Sequence, residues 1–385
     1  MFILKLIFKN AFRHKLRTWL TIVGITIAIL AFGLLRTVIS TWYSGVESSS
    51  ATRLVTRNAI SLVFSLPLSY EESIRHVPGV KFVTRDNWFG GIYIDEKHFF
   101  PSFAIDPKNY LPLVPEFVIP GDQQAAFIRD RNAALAGRKI AEKYHWKLGD
   151  TIMLKGTIFP GNWEFVLRAI YHGRDKSTDE TFFLFHWDYL NEALKKTVSG
   201  RADQVGFYFI GVTSPNVAAQ VSQDIDKMFK NSLSETLTET EKAFQLGFIS
   251  MSEAIIVAIR MVSAVVIIII MAVMANTMAM TARERFGEYA VLKTLGFGGA
   301  HLAGMIFGES LVIAILGGAA GIALTFPVSR AFGRAMDNYF PVFNVATATI
   351  YMDMASALLI GLVAGIVPAW RAVHIRVADG LRRIG

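Results

Sequence analysis

The chain contains no cysteine, so disulfides and thiolate chemistry are excluded and its redox compartment stays open. Phosphate-cradling chemistry is also missing. No G-x-x-x-x-G-K-[ST] stretch occurs, which leaves no Walker A loop and no sign of an ATPase within these residues. Neither H-E-x-x-H nor G-x-S-x-G is present. The eight histidines (His14, His76, His98, His145, His172, His186, His301 and His374) are scattered without ligand-like spacing. Asp106 and Asp150 sit in loop-like contexts and form no recognisable carboxylate pair. The pattern points to a non-catalytic chain with no metal site of its own. Charge is scarce as well: 18% of residues are Asp, Glu, Lys or Arg, below the ~25% of soluble domains, and 52% are hydrophobic.

What is present is long apolar sequence. Four runs are long enough to cross a bilayer. They are expected at 18–41, 251–282, 302–328 and 350–367, the last closed by Pro368. The uninterrupted VVIIIIMAVMA lies in the second. The third contains one ionisable residue, Glu309, and the fourth holds Asp353 near one edge. An unpaired carboxylate at the depth of Glu309 costs ~2–3 kcal/mol or more, so it should be paired, protonated or facing a polar gap. A structural hydrogen bond and a functional role remain equal alternatives.

The net charge of +8 would suggest nucleic acid in a soluble protein. Here the basic residues cluster beside the spans, so a nucleic-acid partner is not expected. Lys5, Lys9, Arg13, Lys15 and Arg17 occupy residues 1–17 without an acid. Arg283, Arg285 and Lys293 lie in 283–301, and Arg371, Arg376, Arg382 and Arg383 in the tail 368–385. The loop 329–349 carries only Arg330 and Arg334. The positive-inside rule puts both termini and the 283–301 loop in the cytoplasm. A retained anchor is favoured over a cleaved signal peptide, because the n-region is long and no A-x-A site follows.

Residues 42–250 then form one large extracytoplasmic (periplasmic) domain. Strands are expected at Glu164–Tyr171 and Gly206–Val212, both buried on two faces because neither alternates strictly. Helices are expected from Val217 to Phe229, behind Ser214-Pro215, and from Glu71 to His76, stopped by Pro78-Gly79. The expected fold class is thus a four-span α-helical membrane protein with a large α+β domain between the first two spans. The polar segment from Ser234 to Ser250 reads as a stalk helix continuous with the second span, weakened at Gly247. Trp88, Phe89, Phe99, Phe100 and Phe103 suit core packing better than an apolar groove.

Small residues recur at four-residue spacing: Gly304 and Gly308, Gly317 (beside Gly318) and Gly321, Gly361 and Gly365. Such faces let helix backbones approach closely. Between the second and third spans stands RERFGEYAVLKTLGFG. Phe286, Tyr289, Leu292 and Leu295 recur every three residues, with Arg283, Glu284, Glu288 and Lys293 around them, and Gly296 can end the helix in a left-handed conformation. The expected element is one short amphipathic helix, Arg283–Leu295, at the inner membrane surface.

That run, extended as GAHLAGMIFGESLVIAILGGAAGIAL, resembles the signature region of MacB/FtsX-type ABC transporter permeases, the type VII mechanotransmission family. The matching positions are Arg283, Arg285 and Glu288, then Leu292, Lys293, Leu295 and Gly296, then Glu309, Gly317 and Gly318. The tail PAWRAVHIRVADGLRRIG resembles the family's ending, with Val377 where proline is usual. The N-terminal FKNAFRHKLRTWLTIVGITIAI is similar to the family's amphipathic first helix and first span, and AALAGRKIAEKYHWKLGDTIML to a strand-turn element of the MacB-type outer domain.

The resemblance implies a permease subunit without a fused ATPase. A separate cytoplasmic ABC ATPase would bind as a dimer and supply the ATP and magnesium. Arg283, Glu284, Arg285, Glu288, Tyr289, Leu292, Lys293, Leu295 and Gly296 would form the coupling helix. Further implied partners are a second permease copy or homologue, a periplasmic adaptor, an outer-membrane component and membrane lipids. Export or extraction of a lipid, lipoprotein, peptide or other hydrophobic substrate is the expected function. The alternative is an FtsX-like regulator that activates a partner such as a cell-wall hydrolase without transport. Residues 121–176 are expected to be an inserted or capping part of the outer domain.

Overall fold

The computed structural model describes residues 2–43, 45–46, 49–96, 98–175, 178–336 and 343–374, with side chains from Ile7 onward. Arg376, Val377, Leu381, Arg382 and Arg383 lie outside the described residues. The chain divides into two compact units. One comprises Met1–Thr41, Ser252–Ala335 and Phe343–Gly385, and the other is built mainly from Trp42–Met251.

The first unit is helical: α1 (Phe2–Ala11), α2 (Lys15–Trp42), α3 (Glu253–Glu284), α4 (Phe286–Thr294), α5 (Gly299–Ala335) and α6 (Thr347–Val373). Helices α2, α3, α5 and α6 are each long and apolar enough to cross a membrane. Pro368 does not end the last of them. It is buried inside α6, which runs on to Val373. Neighbouring helices can compensate the backbone groups that a proline frees.

Glycines set how closely these helices approach. A Cβ on Gly317 would lie 2.7 Å from the Ile25 Cβ, and one on Gly321 would lie 2.8 Å from that of Ile29. Both therefore seat α5 against α2, and Thr26 Oγ1 donates across to the Gly317 carbonyl at 3.2 Å. Gly318 faces the other way, 2.5 Å from the Ala357 Cβ of α6 by the same construction. Gly361 and Gly365 return the fit against Ala314 and Phe307. Gly304 has nothing within 4 Å, so the small-residue periodicity there is not a contact.

The second unit is an α+β domain on one mixed sheet. Its strands are β1 (Arg53–Asn58), β2 (Leu66–Pro67), β3 (Val80–Trp88), β4 (Gly91–Ile92), β5 (Ser102–Ile105), β6 (Phe117–Val118), β7 (Ala133–Gly137), β8 (Thr151–Gly156), β9 (Gly161–Gly173), β10 (Phe183–His186), β11 (Gln204–Val205), β12 (Phe207–Val212) and β13 (Thr236–Thr240). The order is β13-β1-β12-β3-β5-β10-β7-β9-β8-β4, with β6 on β9, while β2 and β11 pair separately. β10 runs parallel to β5, and β7 to β9. Fully buried Phe89, Phe165, Phe183 and Phe185 form the centre of the core.

Four expectations need correction. β9 alternates, burying Trp163, Phe165, Leu167, Ala169 and Tyr171, while Val166 and Ile170 are only half-buried. Residues 121–176 are no separate cap, because β7, β8 and β9 lie within the one sheet. Thr236–Thr240 is not stalk helix but β13, held to β1 and anchored by Asp226, which accepts from Thr238 N at 3.0 Å. Sheet pairing to Leu54–Asn58 overrides the helical spacing of Leu237. The helix Glu241–Ser250 begins at the Thr240 cap and ends at Met251, and α3 starts as a separate helix at Glu253.

Trp88, Phe89, Phe99, Phe100 and Phe103 also divide. Phe89 and Phe100 are core, whereas Trp88 and Phe99 are exposed and Phe103 is half-buried. The helix at Ala218–Met228 follows a 3-10 turn at Pro215–Val217 and buries Ala218, Val221 and Ile225, but Met228 points outward.

Candidate functional site: the connection between the second and third spans

The expected single helix Arg283–Leu295 is two elements. α3 continues through Glu284, the backbone breaks at Arg285 (φ −103°, ψ 11°), and α4 starts at Phe286. The break is where the chain spends its charge. Arg285 is 4% exposed. Its Nη1 donates to both Glu309 oxygens on α5, at 2.7 and 2.9 Å, and its Nε donates to Glu288 at 3.1 Å. The guanidinium also lies 5.2 Å from the ring centroid of buried Tyr289. Glu309 is therefore paired, and its partner is the arginine that ends the preceding span.

Three further ties hold this corner. Arg13, just after α1, pairs with Glu288. Arg17 on α2 forks onto Glu284, Nη1 to Oε2 at 3.0 Å and Nη2 to Oε1 at 2.9 Å. Lys293 Nζ donates to the carbonyl of Val373 at 2.7 Å, the last residue of α6. A lysine there satisfies a carbonyl that the helix end leaves open. Burial alone would raise the Glu288 carboxyl. Hydrogen bonds and charge from Arg13 and Arg285 outweigh it and hold that carboxyl below its ordinary value. Burial also raises the Tyr289 phenol, which stays neutral.

The C-terminus of α4 closes as glycine allows. Gly296 has φ +91°, Phe297 N donates to Leu292 O, and Gly296 N donates to Lys293 O, each at 3.0 Å. This is a Schellman motif, and any L side chain at Gly296 would be strained. Beside it lies a cavity of about 1210 Å³, lined among others by Ile7, Val291, Leu292, Phe297, His301 and Met305. Val291, Leu295 and Phe297 are 40%, 70% and 46% exposed.

The residues expected to face a partner thus split. Arg285, Glu288, Tyr289 and Lys293 are committed within the chain, Leu292 is half-buried, and Arg283 and Leu295 are open. Glu284 is exposed yet tied to Arg17. Sequence reasoning missed the anchoring residues Arg13 and Arg17 as members of this site. The only signal was their charge beside an apolar span. Among the described residues, no three His, Asp or Glu side chains group as metal ligands would.

The fold defines a class: a multi-pass membrane protein with four spanning helices, a large α+β domain between the first and second, and a charge-latched helix between the second and third. Residues 260–377 match the family model for the FtsX-like permease C-terminal domain, so this region is an FtsX-like permease domain. The chain is similar to an uncharacterized ABC transporter permease of Methanocaldococcus jannaschii, 23% identical over 97% of this chain and 96% of that protein. It is also similar to the macrolide export ATP-binding/permease protein MacB of Burkholderia pseudomallei, 30% identical over 108 residues. That match covers 28% of this chain and spans only 16% of the MacB relative's length. Among solved structures, the periplasmic region of MacB from Actinobacillus actinomycetemcomitans aligns with a TM-score of 0.38 at 7% identity, covering 53% of this chain and 95% of that one. The extracellular domain of the transporter YknZ from Gram-positive bacteria aligns at 0.35 and 12% identity, covering 49% of this chain and 98% of that one.

Proposed function

We propose that this chain is the permease subunit of an ABC transporter that couples ATP hydrolysis in a separate, dimeric ATPase chain to movement of its own outer domain. It lies in the cell inner membrane, pairs with a second permease, and has both termini and α4 in the cytoplasm with residues 42–250 on the far side. The moved substrate is a lipid, lipoprotein, peptide or other hydrophobic molecule, exported or extracted from the membrane, with an adaptor and an outer-membrane component as further partners.

The observation that carries this reading is the latching of α4. A partner can grip the open apolar edge formed by Val291, Leu295 and Phe297. Displacement of α4 then cannot be absorbed locally. It is handed to α5 through Arg285–Glu309, to α6 through Lys293–Val373, and to the α1–α2 corner through Glu288–Arg13, while Arg17 ties that corner to the end of α3 at Glu284. Buried, multiply bonded ion pairs resist separation far more than surface pairs do. The bound ATP and magnesium belong to the partner and supply the driving hydrolysis.

The test is Leu295→Asp, co-expressed with the ATPase encoded nearby. A charge at an exposed site leaves the permease folded and monodisperse. Loss of co-purification and of stimulated ATP hydrolysis is expected. An unchanged complex with unchanged turnover overturns the assignment.

A further inference from the structure

The outer domain contains a cavity that the coupling reading does not use. It is bounded by β1, β3, β5, β12 and the Glu241–Ser250 helix, and it has a volume of about 140 Å³. Aromatic rings form most of its wall: Phe103, Tyr110, Phe182, Phe207, Phe209 and Phe244. Two carboxyl groups also line it. Glu241 is occupied, accepting from Arg53 Nε at 2.7 Å and from Ser50 N at 2.8 Å. Asp86 is not. It is 1% exposed on β3 and makes no ion pair among the described residues. Its sole side-chain hydrogen bond there is a long 3.4 Å contact from Thr84 Oγ1. Buried carboxyl groups normally have their partners, so an under-satisfied one on a cavity wall asks for a ligand.

The charged surroundings say which kind. Burial, with Asp106 and Glu71 nearby, pushes the Asp86 carboxyl well above the usual carboxylate range. The cation near this cavity, Arg53, is neutralised by Glu116 and Glu241 and lies 5.6 Å from the Phe209 ring centroid. Ring faces attract cations. The size fits one ring, since an engineered apolar cavity of about 150 Å³ admits benzene.

We propose that this cavity binds a small organic cation, a ring-sized apolar group carrying an ammonium, with the ammonium on Asp86 and the ring among the phenyl walls. The inference stands apart from the coupling reading, because it needs neither an ATPase nor a direction of transport.

Because burial disfavours the charged form of Asp86, an arriving ammonium shifts that carboxyl toward its ionised form. Binding therefore releases a proton, and affinity rises with pH until Asp86 is ionised in the free protein as well. The other titratable groups facing this region are Glu241, Glu116, Glu71, Asp106 and Tyr110, with Arg53 as the fixed cation. Asp86→Asn should erase the proton release while those groups remain.

The experiment is calorimetric titration of the purified full chain with 2-phenylethylammonium, in buffers of different ionisation enthalpy. Phenylacetate and ethylbenzene serve as charge controls. Saturable binding is expected for the ammonium alone. Loss of at least about tenfold in affinity is expected for Asp86→Asn, the size of one charged hydrogen bond. Phe207→Leu should also weaken binding, with circular dichroism confirming the fold of both variants. Three results overturn the proposal: equal binding of ethylbenzene or phenylacetate, undiminished binding by Asp86→Asn, or no saturable heat up to ~10 mM, the Kd expected for a ligand of this size at ordinary per-atom efficiency.

Discussion

The Arg285–Glu309 pair makes the sharpest quantitative prediction. Arg285 donates three hydrogen bonds, two to Glu309 and one to Glu288, and both members of the main pair are under 5% exposed. Glu309→Met leaves a buried guanidinium with one remaining partner. Arg285→Met leaves a carboxylate inside a spanning helix. Breaking a buried pair from one side costs ~3–5 kcal/mol, because the surviving charge is uncompensated. The cost of an unpaired carboxylate at that depth sets the Arg285→Met loss at roughly 2–3.5 kcal/mol. The double variant removes both charges and should fall within about 1–2 kcal/mol of the parent, since apolar replacement of a buried pair is often neutral. At roughly 2–4 °C per kcal/mol, each single variant should lose from ~4 to ~20 °C in thermal midpoint, and the double variant should recover most of it. Purified protein in nanodiscs, followed by tryptophan fluorescence, reads all four corners of the cycle. Losses that simply add in the double variant would refute the pairing. The same stable double variant also separates structure from force transfer. Its ATPase coupling should be weakened although its fold is intact.

Two other predictions rest on packing. Gly321→Val should destabilise the bundle strongly, because its Cβ would meet Ile29 Cβ at 2.8 Å and Thr26 O at 2.9 Å, whereas Gly304→Ala should change the thermal midpoint little. Asp353 is buried in α6, neither of its carboxylate oxygens is hydrogen-bonded among the described residues, and its Oδ2 lies beside Gly33 of α2. The near-isosteric Asp353→Asn should therefore hold or raise the thermal midpoint, and a fall of several degrees would show that the carboxylate has a stabilising partner.

Much of the membrane unit was legible in the sequence, because the apolar stretch around VVIIIIMAVMA continues for about twenty residues, long enough to cross a bilayer as a helix. The ends were less so. Pro368 reads as a stop in isolation, yet α6 continues past it. Arg285 looked like one more charge on an amphipathic helix, but its backbone break and its bond to Glu309 depend on a residue in the next helix, which periodicity cannot reveal. Gly296 was legible because one residue type at one position settles the turn. The outer domain was read most poorly where tertiary pairing decides. Thr236–Thr240 carries helix-compatible spacing and becomes an edge strand because β1 offers it a partner. The cavity at Asp86 left no trace in the sequence, since its walls come from β1, β3, β5, β12 and segments far apart along the chain.

If α4 takes force on one side of the membrane while the outer domain moves on the other, the two must be reached from opposite faces. The chain has no cysteine, so single cysteines can be introduced without clearing a background. Leu295→Cys and Leu233→Cys both sit at exposed positions. In sealed vesicles, a membrane-impermeant maleimide should reach these two residues from opposite faces, and addition of the ATPase should protect only Leu295→Cys. Labelling of both from the same face would contradict the account.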